Sequence, residues 1–226
     1  MNTDIKLILP NTKMGVVLDL QRGERLYFLA GPIRGGGDWQ AKAIQLLHEK
    51  DPFCYIACPC RYDIDHELFR YHIRATELPR STDDEREWPE YALPFESQTM
   101  WERYYLEQAS YHGCIIFWLP CEDQENPRKK KDGPYARDTY GEIGRWSLKS
   151  SDPYQFSLEN HLPRVNVVIG AEENFSGLSV IKNNLEADHS KTPIFPGIIF
   201  SSFEKTISEA VKLGKTFNPQ PMNFND

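Results

Sequence analysis

No run of the chain approaches the roughly 20 consecutive apolar residues that a membrane-spanning helix needs. A basic excess is missing too: 26 lysines and arginines face 33 aspartates and glutamates, for a formal charge of −7. Binding a nucleic-acid polymer or an anionic membrane would call for the opposite balance. Both partners are set aside, while a small phosphorylated ligand held by a few local groups stays open. The opening residues, MNTDIKLILPNTK, have no charged segment leading into a long apolar core and a small-residue cleavage site, so no secretory signal is expected. Cysteines are few and odd in number, five, and several lie inside apolar runs. That usage suits reduced thiols, and a cytoplasmic location is expected. What the chain does have is the composition of a globular protein. Its 226 residues, 40% hydrophobic and 12% aromatic, can bury one sizeable core.

Two short apolar runs, IKLIL and MGVVLDL, flank Pro10-Asn11-Thr12-Lys13. Turn-formers between strand-like runs predict an N-terminal β-hairpin over residues 1–24. The main domain would then occupy 25–226. Within it, RLYFLA (25–30), FCYIAC (53–58), CIIFWL (114–119), VNVVIGA (165–171) and the stretch 194–201 read as five strands. Helical spacing marks Trp39 to Lys50, Ser97 to Ser110, Thr139 to Leu148, Gly177 to Ala187 and the amphipathic Phe203 to Leu213. Gly214 stands where a helix C-cap is expected. Residues 60–98, polar and broken by Pro79, Pro89 and Pro94, read as an insertion after the second core strand with a short helix around Asp65–Ala75. Alternating strands and helices predict an α/β fold, a doubly wound, mainly parallel five-stranded sheet of flavodoxin or Rossmann-like kind.

Ligands of such sheets bind beyond the carboxyl ends of the strands. Two segments that fall there carry chemistry. In GPIRGGGDW, the glycines allow close backbone approach to an anion, the next helix offers free N–H groups, and Arg34 supplies a forked pair of donors. The spacing fits neither a dinucleotide fingerprint nor a P-loop. A plain turn with a solvated arginine is the competing account. In TYGEIGRW, Glu142 opens a helix between Gly141 and Gly144, each costing about 1 kcal/mol of helix stability against alanine. Many glutamates in such positions only complement the helix dipole. Two glycines around one acid also fit a ligand passing close to the backbone.

YFLAGPIRGG, then WERYYLEQA leading into CIIFWLP, then YGEIGRW, resemble in order the signature segments of the nucleoside 2-deoxyribosyltransferase-like superfamily. GPIRGG is also similar to the phosphate-holding loop of 2′-deoxynucleoside 5′-phosphate N-hydrolases. The resemblance implies attack on C1′ of a nucleoside or its 5′-phosphate by Glu142, a covalent glycosyl intermediate, and its capture by a second base or by water. It implies acids near the leaving base at Glu102 and Asp138, and a substrate wall from Gly31, Pro32, Ile33, Arg34, Gly35 and Gly36. It also implies a homo-oligomer and no cofactor. Transferases of this kind carry a tyrosine in the first strand to orient the nucleophile, and Tyr27 and Phe28 both compete for that position. Pro32 departs from the small hydroxyl residue of the hydrolases.

Other groups carry weaker signals. Cys54, Cys58 and Cys60 lie along a strand rather than on turns, which suits buried small side chains better than zinc ligands. Cys121, just past a strand end, is a conceivable nucleophile. Trp101 and Trp146 are core candidates, and either could wall a base-stacking pocket. Arg128 to Lys131 reads as a solvated loop with a minor steering role. A nucleotide-binding or sensor module without turnover remains the alternative function, and an FMN binder of flavodoxin type is a third.

Overall fold

The computed structural model describes residues 5–10, 14–16, 24–73, 92–151, 165–189 and 199–216. Strands β1 (Lys6–Ile8), β3 (Leu26–Ala30), β4 (Tyr55–Ala57), β6 (Gly113–Leu119) and β7 (Val167–Ala171) form one parallel sheet in the order β1-β4-β3-β6-β7. β2 (Met14–Val16) and β5 (Ala92–Pro94) form a separate antiparallel pair. Helices α1 (Trp39–Lys50), α2 (Gln98–His112), α3 (Arg137–Ser151), α4 (Leu178–His189) and α5 (Phe203–Thr216) complete the described elements. The doubly wound α/β expectation holds. No helix among the described residues is long and apolar enough to cross a membrane.

Strand alternation sorts the core into two layers. Leu26, Phe28 and Ala30 point toward α2, α3 and α4, packing with Trp101, Tyr105, Ile143 and Leu185. Tyr27 and Leu29 point the other way, into the layer of Trp39, Ile44, Leu47, Ile207 and Val211 from α1 and α5. The central strands are buried on both faces, all seven residues of β6 included, as a parallel sheet covered on both sides requires.

The hairpin expected over 1–24 does not form among the described residues. β1 lies at the sheet edge, parallel to β4, with Leu7 opposite Ile56. Its residues Leu7 and Ile8, and Leu9 just beyond it, are fully buried. An unbroken apolar run wants cover on both faces, and the parallel sheet gives it what a two-stranded hairpin cannot. β2 instead meets β5, so the N-terminal segment joins the end of the predicted insertion. The fifth strand is thus β1. Of the stretch 194–201 only residues 199–201 are described, and there Phe200 bridges to Gly170 as a single parallel pair. The short helix predicted around Asp65 is a 3-10 turn at Glu67–Tyr71, and residues 74–91 of the insertion lie outside the described residues.

Gly214 is not a cap. It sits inside α5, where an added Cβ would come 2.7 Å from the Tyr27 hydroxyl oxygen. That hydroxyl donates to Asp51 Oδ2 at 2.9 Å, and Arg25 Nε meets the same oxygen at 2.5 Å. The glycine makes room for a phenol locked in a buried network.

Helix α2 is capped by Ser97, whose Oγ accepts from the Met100 N–H at 3.3 Å. Ser97→Ala should cost about 1 kcal/mol and lower the midpoint of thermal unfolding by roughly 2–4 °C in a chain of this size. An unchanged midpoint would mean the cap contributes nothing.

A candidate active-site cleft at the carboxyl edge of the sheet

β3 leads into α1 on one face, and β6 leads toward α3 on the other. Their outgoing loops part at neighbouring strand ends, which leaves a crevice at the switch point. A cleft of about 570 Å³ occupies it. From β3 and its turn come Phe28, Ala30, Gly31, Pro32, Ile33 and Arg34. The loop after β4 gives Pro59 and Arg61, and the first turns of α2 give Gln98 and Glu102. The segment between β6 and α3 adds Arg128, Asp132 and Ala136, and α3 adds Arg137, Asp138, Thr139 and Glu142.

Three carboxylates gather at one end. Glu142 is half-buried, and its carboxyl is pushed up to about 7, chiefly by burial and further by Glu102 and Asp138. Glu102 is raised as well, first by burial, with Asp138 adding to it and with the Gln98 hydrogen bond and Arg61 opposing. Gln98 Nε2 donates to Glu102 Oε1 at 2.8 Å and to the Pro59 carbonyl at 3.2 Å. The amide therefore ties α2 to the loop after β4. Asp138 stays at the rim, mostly exposed and 3.2 Å from Arg137 Nε. Acids that repel one another in a partly desolvated cleft hold a proton at neutral pH, the condition under which carboxyl groups do acid–base work.

Four arginines also line the cleft, Arg34, Arg61, Arg128 and Arg137. Arg34 reaches outward and is bound to Asp132 at 2.9 Å, its side chain 72% exposed. Arg128 is 17% exposed and lies 3.4 Å from Glu122. The segment 120–136 docks on the glycine turn, where the Asp123 N–H donates to the Gly35 carbonyl at 2.7 Å, and it closes on itself through the Tyr135 hydroxyl, which donates to the Pro120 carbonyl at 2.8 Å. Just before α3, Ala136 adopts φ +56°, a conformation uncommon for any residue but glycine. Such backbone strain concentrates at functional sites.

Several sequence expectations need correction here. Trp101 does not wall the cleft: it is 1% exposed, packed on Tyr105 at 4.8 Å between ring centroids, and stands behind Phe28 at 6.1 Å. A helix facing a buried strand puts its largest ring into the interlayer core. Gly35 and Gly36 shape the turn without lining the cleft. An added Cβ at Gly36 would fall 2.4 Å from the Pro32 carbonyl oxygen, and Gly35 adopts φ +75°. Tyr27 faces α1 and α5, so of the two candidates in β3 it is Phe28 that lines the cleft. Arg128 is not part of a solvated run, although Lys129, Lys130 and Lys131 are exposed. Burial, then Glu172, raises the Cys121 thiol, the reverse of what a nucleophile needs. Cys54, Cys58 and Cys60 are all buried in the core layer beside α1. Among the described residues, no group of three histidine, cysteine or acidic side chains could hold a metal ion.

Arg61, Gln98, Arg128, Asp132 and Thr139 were missed as lining residues. Arg61 follows the carboxyl end of β4, where the strand-end rule also applies, and Gln98 lies one helical turn before Glu102. Those two carried a usable signal.

Fold and site together define a doubly wound α/β protein with an acid-lined cleft at the carboxyl edge of its sheet. No protein-family model matches the chain, and a search of curated proteins finds no match.

Proposed function

We propose that the protein breaks the N-glycosidic bond of a nucleoside, or of its 5′-phosphate, through a covalent glycosyl-Glu142 intermediate. The observation that carries this reading is that Glu142 and the Gly31–Arg34 turn line one cleft. A Glu142 carboxylate oxygen attacks C1′, the C1′–N bond breaks, and its electron pair leaves with the base. Glu102 donates a proton to that base nitrogen. Water, or a second base, then attacks C1′, gives its proton to Glu102, and releases Glu142 as carboxylate. Phe28 in place of an orienting phenol leaves Glu142 to be aligned by burial and by α3 itself.

Glu142 must be ionised and Glu102 protonated in the same molecule, and burial raises both carboxyls, Glu142 to about 7. The expected kcat/KM is therefore bell-shaped in pH, its acid limb set by ionisation of Glu142 and its alkaline limb by loss of the proton from Glu102. A rise to an alkaline plateau would mean that Glu142 acts without a proton donor. Incubation with mixed deoxynucleosides and their 5′-phosphates should release free base and leave a pentose mass adduct on Glu142. Protein that releases no base from the whole panel overturns the proposal. By the same resemblance the working form is a homo-oligomer, which sedimentation checks.

Phe28 favours one other reading, a nucleotide-binding module without turnover, because no hydroxyl from β3 steadies the nucleophile. That module would return its nucleotide unchanged, with affinity undiminished in Glu142→Gln.

A further inference from the structure

The sequence points to Arg34 and the glycine turn as the place for a phosphate. The structure makes that turn a poor anion receptor. Pro32 has no N–H to give, and two side-chain donors beside it, Trp39 Nε1 and Gln40 Nε2, are already spent on the Pro32 carbonyl at 2.9 Å and 3.2 Å. Asp38 stands at the N-cap of α1, where its charge opposes an incoming anion. Arg34 is mostly in solvent and engaged by Asp132.

Arg128 is placed differently. It is held over the turn, its backbone N 3.0 Å from where a Cβ on Gly35 would sit, and its side chain lines the cleft. Nε and Nη1 are buried and make no hydrogen bond among the described residues. Glu122 is a counter-ion at 3.4 Å, and one Glu122 oxygen is also used by the Arg128 backbone N–H at 3.2 Å. Donors removed from water without acceptors cost free energy until an acceptor arrives. A guanidinium is also the group best shaped for a phosphate. Glu102, Glu142 and this buried cation line one cleft, a combination that matches sugar and phosphate of one ligand.

We propose that Arg128 is the anion receptor of the cleft and selects a nucleoside 5′-phosphate over the free nucleoside. The proposal rests on the glycosyl reading for the nucleoside part. Its anion part is tested separately. Two measurements apply to the full chain and to Arg128→Gln, Arg128→Lys and Arg34→Ala. The first is the shift in thermal midpoint with inorganic phosphate and with a nucleoside 5′-phosphate. The second is the ratio of kcat/KM for the 5′-phosphate to that for the matching nucleoside.

Phosphate should stabilise the native chain, lose most of that effect in Arg128→Gln, and keep it in Arg34→Ala. The kcat/KM ratio should fall about 100-fold in Arg128→Gln, as expected for loss of a charge-assisted pair, and less in Arg128→Lys. Equal phosphate shifts in the native chain and Arg128→Gln, or an unchanged ratio, would overturn the proposal. If Arg128→Gln does not fold, Arg128→Lys decides, because it keeps the charge and loses the fork. A phosphate shift that depends on Arg128, in protein that releases no base, would uphold the receptor and sink the glycosyl reading alone.

Discussion

Under the proposed glycosyl chemistry, Glu142→Gln should abolish base release and, at pH 8, leave the protein more stable than the native sequence. The first effect follows from chemistry: an amide has no anionic oxygen to form the glycosyl ester, so kcat should fall by more than about 10³-fold. The second follows from linkage. Folding raises the carboxyl from its ordinary 4.5 to about 7. The native state therefore binds this proton more tightly than the unfolded chain does. The favourable contribution is complete below 4.5, is lost as pH rises between 4.5 and about 7, and stays lost above. At pH 8 the native protein holds a carboxylate that burial, Glu102 and Asp138 all oppose. Replacing it with a neutral isostere should stabilise by about 2–3 kcal/mol at pH 8, and by little at pH 4.5. Urea unfolding at the two pH values reads the difference. Glu142→Gln that loses activity without gaining stability at pH 8 would mark a carboxylate that is not buried against other acids. A functional acid kept at the expense of stability is the expected pattern for an active site.

Much of this was visible in the chain, for definite reasons. α2 and α3 announce themselves because helical periodicity and Ser97 are local signals, and they deliver Glu102 and Glu142 to the strand ends by the ordinary logic of a doubly wound sheet. The central strands are equally plain, since a parallel strand covered on both faces reads as an unbroken apolar run. Three things were not readable, each because it depends on a distant partner. The run at 6–8 looks alike as a hairpin arm and as a sheet edge, and only its pairing with β4 decides. Tyr27 and Phe28 differ by one step of alternation. The choice is made by Asp51, at the C-terminal end of α1, which takes the Tyr27 hydroxyl on the face away from the cleft. Arg128 looks like the first residue of a solvated basic run until the segment 120–136 folds onto the glycine turn and separates it from the three lysines after it.

Gly31→Ala should cost about 3–5 kcal/mol, among the largest effects of any single methyl in the chain. Gly31 leaves β3 with φ +150°, and an added Cβ would lie 2.3 Å from the Trp118 carbonyl oxygen and 2.8 Å from the Trp39 ring. Neither neighbour yields easily. Trp118 belongs to β6, the central strand paired with β3, and the Trp39 indole is fixed by its hydrogen bond to the Pro32 carbonyl. Relief would require β3 and β6 to part at the strand ends where the cleft opens, moving Pro32, Ile33 and Arg34 with the turn. Gly37 in the same loop supplies the comparison. Its φ of +69° also favours glycine, yet an added Cβ meets nothing within 4 Å among the described residues. Gly37→Ala carries only the conformational penalty, about 1–2 kcal/mol. Urea midpoints for the two variants, at equal m-value, separate steric conflict from backbone preference. Should Gly31→Ala prove no costlier than Gly37→Ala, the contact with β6 is not the constraint that holds this wall of the cleft. If it is the costlier by the margin expected, the glycine is required by the packing of two central strands, and the cleft wall is positioned by the core of the sheet rather than by the loop alone.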